Sequence, residues 1–243
     1  MKITSWKPIP PETIRAMVVK KETFTYTDEA FRGIKQLILN QEVVPGQKLI
    51  YDDLAKRLKM SRTPIINALN RLEQLGLVVS ESNRGYTVKP MDTNEAWETF
   101  DLREALEIFA VKQVIEKLNG PDLSPLEEKL TAYERYQPNY YDRKKIFLDA
   151  GFHLQIAQLT RNSVLKWHLK LDLQHLYLRA NLNNYSLDRA KAAAVEHRQL
   201  LQKIKDKDVL GAVELMKHHI SSDKEYTLAC LSQNNMHAEE MDL

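Results

Sequence analysis

The chain has 243 residues, 43% hydrophobic and 28% charged, with a formal net charge of +2. That length allows one or two domains with a sizeable core, and the balance excludes a disordered or fibrous chain. Only 7 glycines argue for helices over hairpins and barrels, and Cys230, the single cysteine, excludes an intramolecular disulfide and suits a reducing compartment. No apolar run approaches the roughly 18 residues of a membrane helix. Pro8, Pro10 and Pro11 interrupt the N-terminus where a signal peptide needs an apolar stretch, so a cytoplasmic protein is expected.

The charge is unevenly spread. Residues 1–90 hold 15 Lys and Arg against 9 Asp and Glu, whereas residues 91–243 hold 20 against 24. A basic front and an acidic back fit a phosphate-facing module joined to one with another task.

In chain order, residues 1–24 read as an N-terminal arm with no clear periodicity. Asp28 to Asn40 is a helix with Phe31, Ile34, Leu37 and Ile38 on one face, and Pro45-Gly46 is a turn. Residues 51–76 read as two short helices. Leu54, Ala55 and Leu58 mark the first, and Ile65, Leu69 and Leu72 mark the second. Ser61 is the expected N-cap of the second, accepting a bond from an N–H one turn on. Pro64 sits in the first turn and Gly76 is the stop. Arg62, Ile66, Asn67, Asn70 and Arg71 lie off the buried stripe, a free face suited to a DNA major groove. Two apolar runs, Leu77 to Val79 and Tyr86 to Val88, flank Ser82-Asn83-Arg84-Gly85 as a β-hairpin. Two helices and a hairpin make a winged helix-turn-helix.

After a linker at 91–94 every long segment is helical in pattern. Helices are expected over 94–118, 124–136, 141–160, 163–184, 187–205 and 209–231, and residues 233–243 read as a frayed tail. The expected fold is mainly α: a winged helix-turn-helix domain over residues 25–90 and an all-α bundle over residues 95–232.

Within the bundle, Asp149 and His153 are four apart and share a helix face. His197 lies on the next helix but one, and His219 on the last. Three imidazoles and a carboxylate suit Zn, Ni, Mn or Fe(II) without choosing among them. The alternative is unrelated histidines, since the chain has seven.

The run from Pro45 to Val88, PGQKL…DLAKRLKMSRTPIINALNRLEQLGLV…NRGYTV, closely resembles the DNA-binding domain of GntR-family bacterial transcription regulators. The resemblance implies a DNA face of Ser61, Arg62, Thr63, Ile66, Asn67, Asn70 and Arg71, with Arg84 and Gly85 on the wing. One departure matters: where the family usually carries Arg-Glu, this chain has Ile66-Asn67, which implies an unusual operator. DAGFHLQIAQLTRN, EHRQLLQKIKDKD and AVELMKHHI resemble the FCD effector domain of FadR-type members, in its shorter, VanR-like, six-helix version. That resemblance makes Asp149, His153, His197 and His219 the ligands of a divalent metal and leaves His218 facing elsewhere. In DLREALE it places Arg103 in the pocket, ready to neutralise a small carboxylate or hydroxycarboxylate effector. The implied protein is a homodimeric repressor of operator DNA, relieved by ligand. The alternative from a different class is a metal-dependent hydrolase using the same Asp/His site.

Overall fold

The computed structural model describes residues 25–81, 85–117, 122–138, 143–180 and 186–241. The arm at 1–24 and the wing-tip Arg84 lie outside them.

Helix α1, Tyr26–Leu39, begins at Thr25, whose hydroxyl accepts from the Asp28 amide while Asp28 reaches back to the Thr25 amide. This reciprocal capping box satisfies two orphan donors at once. Strand β1, Lys48–Leu49, follows, then helices α2, Tyr51–Leu58, and α3, Arg62–Gln74. Lys59 turns the chain between them in the left-handed conformation. Strands β2, Val78–Glu81, and β3, Gly85–Val88, form the wing, antiparallel, with Val78 opposite Val88 and Glu81 opposite Gly85. The sheet has a third strand that the sequence pattern did not show. β1 pairs with β3, giving the order β1-β3-β2. A strand of two residues is too short for a visible alternation.

Ser61 occupies the N-cap position of α3 in extended conformation, but its side chain makes no capping bond. An N-cap oxygen bonds the amide two or three residues on, and the third residue is Pro64, which has no N–H.

The bundle comprises α4, Thr93–Glu116; α5, Ser124–Arg135; α6, Arg143–Leu159; α7, Ser163–Arg179; α8, Leu187–Lys205; and α9, Val209–Met241. Asp92 caps α4 by accepting from the Glu95 amide at 2.7 Å, so the linker ends two residues earlier than expected. Helix α9 continues to Met241, past the tail expected to fray, and no glycine or proline follows Gly211 to stop it. The main core runs from Ala96, Phe100 and Val111 on α4 through Leu126, Phe152 and Leu200 to Met216 and Ile220 on α9. Among the described residues, no helix is long and apolar enough to cross a membrane.

Helix α7 joins the two parts. Leu178 belongs to the core of the winged domain, with Ile34, Leu69 and Leu77. Gln174 accepts from Lys35 of α1 at 2.7 Å. Gly76, at φ +68°, brings the backbone so close to α7 that a Cβ there would meet His175 Cε1 at 3.2 Å. Arg179, 1% exposed, donates to the carbonyls of Lys89 and Pro90 and forks onto Glu95. The linker is therefore clamped to the C-terminal end of α7.

Candidate metal centre and DNA-facing helix

Asp149 and His153 project from α6, His197 from α8 and His219 from α9. Their nearest ligand atoms all lie within 4.8 Å of one another, and all four residues are buried. His153 Nε2 is 3.1 Å from His219 Nε2 and 3.3 Å from His197 Nε2. Asp149 presents Oδ2 at 3.7 Å from His153 Nε2 and Oδ1 at 3.5 Å from His197 Nε2. His218, the neighbour of His219, points outward with its side chain 68% exposed.

The surroundings fix which nitrogens can act as ligands. His153 Nδ1 meets Glu107 Oε2, and His219 Nδ1 is 2.6 Å from Glu196 Oε2. A carboxylate on Nδ1 holds the proton there and turns the Nε2 lone pair inward. Two acceptors then face each other across 3.1 Å, an arrangement that a cation reconciles. Tyr177 donates to Asp149 Oδ2 at 3.1 Å and orients that carboxylate. His197 is held by packing, stacked on Phe152 at 4.3 Å between ring centres, and its Nδ1 has no hydrogen-bond partner.

Two guanidiniums complete the cluster. Arg103 donates to Glu107 at 2.7 Å, to Asp223 at 3.3 Å and towards His153 Nε2 at 3.2 Å. Arg189 forks onto Glu196 at 2.9 and 2.8 Å and donates to Asp223 at 2.9 Å. Burial alone would raise the carboxyls of Glu107 and Glu196. Their imidazole and guanidinium partners overcome it and hold both at about 2. Burial lowers His197 well below the usual histidine range, aided by the charge of His219 and then of His153. Burial also acts to lower His219, but Asp223 and Glu196 outweigh it and raise it. Within this hydrogen-bonded cluster, Arg103 and Arg189 stand against Glu107, Glu196, Asp223 and Asp149. With the three imidazoles neutral, as ligation requires, two negative charges are left over and match one divalent cation, so the residues fit a metal by donor type, tautomer and charge. Four protein ligands on a six-coordinate ion would leave two positions open.

Glu107, Glu196, Asp223, Arg189 and Tyr177 were not read from the sequence as site residues. Three had a usable signal. Glu107 is four residues from Arg103, Asp223 is four from His219, and Glu196 adjoins His197. Arg189 had only the two-turn spacing to Glu196 on its own helix, and Tyr177 had none, because its contact to Asp149 crosses between helices.

On the winged domain, Ser61, Arg62, Thr63, Ile66 and Asn67 are exposed along the N-terminal half of α3. Arg62 forms a two-pronged ion pair with Asp52 of α2. Arg71 turns back to α1, donating to Asp28 at 2.8 Å and lying over Phe31. Asn70 accepts from the Tyr86 hydroxyl of the wing. Gly85 opens β3 at φ +90°.

A winged helix-turn-helix clamped to a helical bundle with a buried Asp/His cluster is the architecture of a DNA-binding regulator with a second, helical domain. Residues 26–88 match the gntR family of bacterial regulatory proteins, and residues 98–222 match the FCD domain. The chain belongs to this family and is a transcriptional regulator, not an enzyme; the hydrolase reading of the Asp/His cluster is set aside on that ground. It is 29% identical over 206 residues to the HTH-type transcriptional regulator YdhC of Bacillus subtilis, covering 83% of this chain and 90% of that one. It is 28% identical over 195 residues to the regulator McbR of Escherichia coli, covering 73% and 83%. The solved structure of E. coli McbR/YncC superimposes with a TM-score of 0.71 at 23% identity, covering 88% of this chain and all of that one. A putative GntR regulator from Rhodococcus sp. RHA1 gives 0.70 at 18% identity, covering 84% and 97%.

Proposed function

We propose that this regulator is a homodimeric, cytoplasmic repressor whose bundle holds one divalent metal and a small carboxylate or hydroxycarboxylate effector. The observation that carries the metal reading is the inward convergence of the His153 and His219 Nε2 atoms, with Glu107 and Glu196 behind them. The effector reading rests on Arg103. Its N–H towards His153 Nε2 loses that partner once a metal takes the nitrogen, and it then faces the open coordination positions. An oxygen of a metal-bound carboxylate would accept from it. Leu102 and Phe109, two turns apart on α4 and about half exposed, offer an apolar face that fits a second copy. Ser61, Arg62, Thr63, Ile66 and Asn67 form the face offered to the major groove, with Asn70 and Arg71 at its edge and Gly85 on the wing; Arg84, outside the described residues, is proposed as a further contact. Domain limits of 25–90 and 95–232 follow, with the short linker between them held by Arg179.

Elemental analysis of purified protein, followed by operator titration with lactate, malate and citrate, tests this reading. One metal per chain and an operator affinity weakened by one of these acids are expected. No metal in the protein, or an affinity that none of the acids moves, would refute it.

A further inference from the structure

Away from the Asp/His cluster, a cavity of about 210 Å³ lies in the seam between the winged domain and the bundle. Leu39 of α1, Phe147 and Leu154 of α6, and Leu173 and Leu178 of α7 line it. Its polar residues are Lys35 of α1 and Lys170, Gln174 and Tyr177 of α7, and no carboxylate contributes to its wall. Lys35 is half-buried and makes its hydrogen bond to the neutral Gln174. Among the described residues, neither lysine is paired with a carboxylate.

We infer that this seam binds a small monocarboxylate with an apolar body. The lysines supply the positive charge, Gln174 an amide beside it, and the leucines and Phe147 a slot for the rest. The two ammonium groups repel one another, and half-buried Lys35 also loses hydration while Lys170 stays exposed at the rim; an anion placed between them relieves both effects. Burial, then the charges of Lys170 and Arg71, already hold Lys35 down at about 8. At about 30 Å³ per water molecule the volume equals about seven waters, which suits a ligand of roughly ten non-hydrogen atoms. A ring or a six-carbon chain with one carboxylate meets that size. The cavity wall includes Tyr177, whose hydroxyl reaches Asp149. A ligand here touches both domains and one side chain of the metal cluster. This site is separate from the effector position beside Arg103.

Calorimetric titration of the full chain with benzoate and hexanoate tests the inference, with benzyl alcohol as the uncharged counterpart. Saturable binding of at least one acid is expected, with the alcohol at least fivefold weaker. Lys35→Met should weaken acid binding at least fivefold, and Lys35→Arg should restore most of it. His219→Ala, which removes a metal ligand, should leave acid binding within twofold, so the two sites fail independently. If neither acid binds saturably, or Lys35→Met binds as wild type does, or binding is lost in His219→Ala, the seam is not an acid site.

Discussion

Tyr177 donates its hydroxyl to Asp149 Oδ2 at 3.1 Å, which places a residue of the domain-joining helix against a proposed metal ligand. One residue on, Leu178 is in the core of the winged domain, and two residues on, Arg179 holds the linker. One turn of helix thus separates the residue that holds Asp149 from those that hold the winged domain and the linker. Tyr177→Phe removes the hydroxyl and keeps the ring. Loss of such a supporting bond costs about 10- to 100-fold in metal affinity. Competition against a fluorescent chelator should show a drop in that range, and unchanged affinity would show that Asp149 needs no support.

The ligand set is checked by two adjacent histidines. His219→Ala should lose the metal, whereas His218→Ala, whose side chain is largely exposed, should keep it. Elemental analysis of both variants decides, and metal retained in His219→Ala would remove that residue from the set.

Arg103 has a structural burden that the sequence did not reveal. Its guanidinium is 1% exposed and pairs with both Glu107 and Asp223. Arg103→Ala removes one partner from each of two buried carboxylates, leaving Glu107 with His153 and Asp223 with Arg189, and breaking a buried pair costs up to roughly 3 to 5 kcal/mol. A fall in melting temperature of several degrees is expected even without effector. An alanine variant as stable as wild type would mean that Glu107 and Asp223 are satisfied by others.

Asp172, on α7, is buried with Oδ2 lacking a partner. Burial raises its carboxyl to about 7; Arg103 opposes this and Glu107 adds to it. In the unfolded chain an aspartate titrates near 4. Between about pH 4 and 7 the folded state thus binds more protons than the unfolded state, so stability falls as pH rises through that window and levels off above it. Asp172→Asn removes the titration. Its stabilising effect should be small at pH 5 and several degrees larger at pH 8, read as melting temperature. An equal effect at both values would place the carboxyl near its ordinary range.

Ile66 is 37% exposed on the proposed reading face. It offers no hydrogen-bond donor to guanine, but it can lie against a thymine methyl, and Asn67 beside it can bridge adenine N6 and N7. Sites selected from a random pool should be A·T-rich under α3, and Ile66→Arg should shift the selection towards G·C. An identical selected site for both proteins would show that Ile66 does not read bases.

What the sequence showed and what it hid divide along a physical line. Helical periodicity located all six bundle helices, and the spacing of Asp149 and His153 placed them on one face, because both depend on residues close in the chain. Strand β1 was missed because two residues carry no period. Ser61 makes no capping bond, and Pro64 removes one of the two amides that could have donated it. Tyr177 and Arg179 were invisible because their partners lie 28 and 84 residues away, and of Arg189's contacts only the one to Glu196, two turns along its own helix, is local. Arg71 was read from its helix face alone, and only the packing of α1 against α3 shows that it meets Asp28.

Leu178 has a consequence for anyone who wishes to recombine these modules. It is supplied by the bundle yet sits, 1% exposed, among Ile34, Leu69 and Leu77. A winged domain cut after residue 90 would carry an open hollow where that leucine belongs, and truncating a buried leucine to alanine already costs roughly 2 to 5 kcal/mol. A chimera that grafts this domain onto a foreign bundle inherits the same hollow unless the new partner presents a leucine-sized side chain at that point. Exchange of modules is thus governed by one side chain as well as by where the chain is joined.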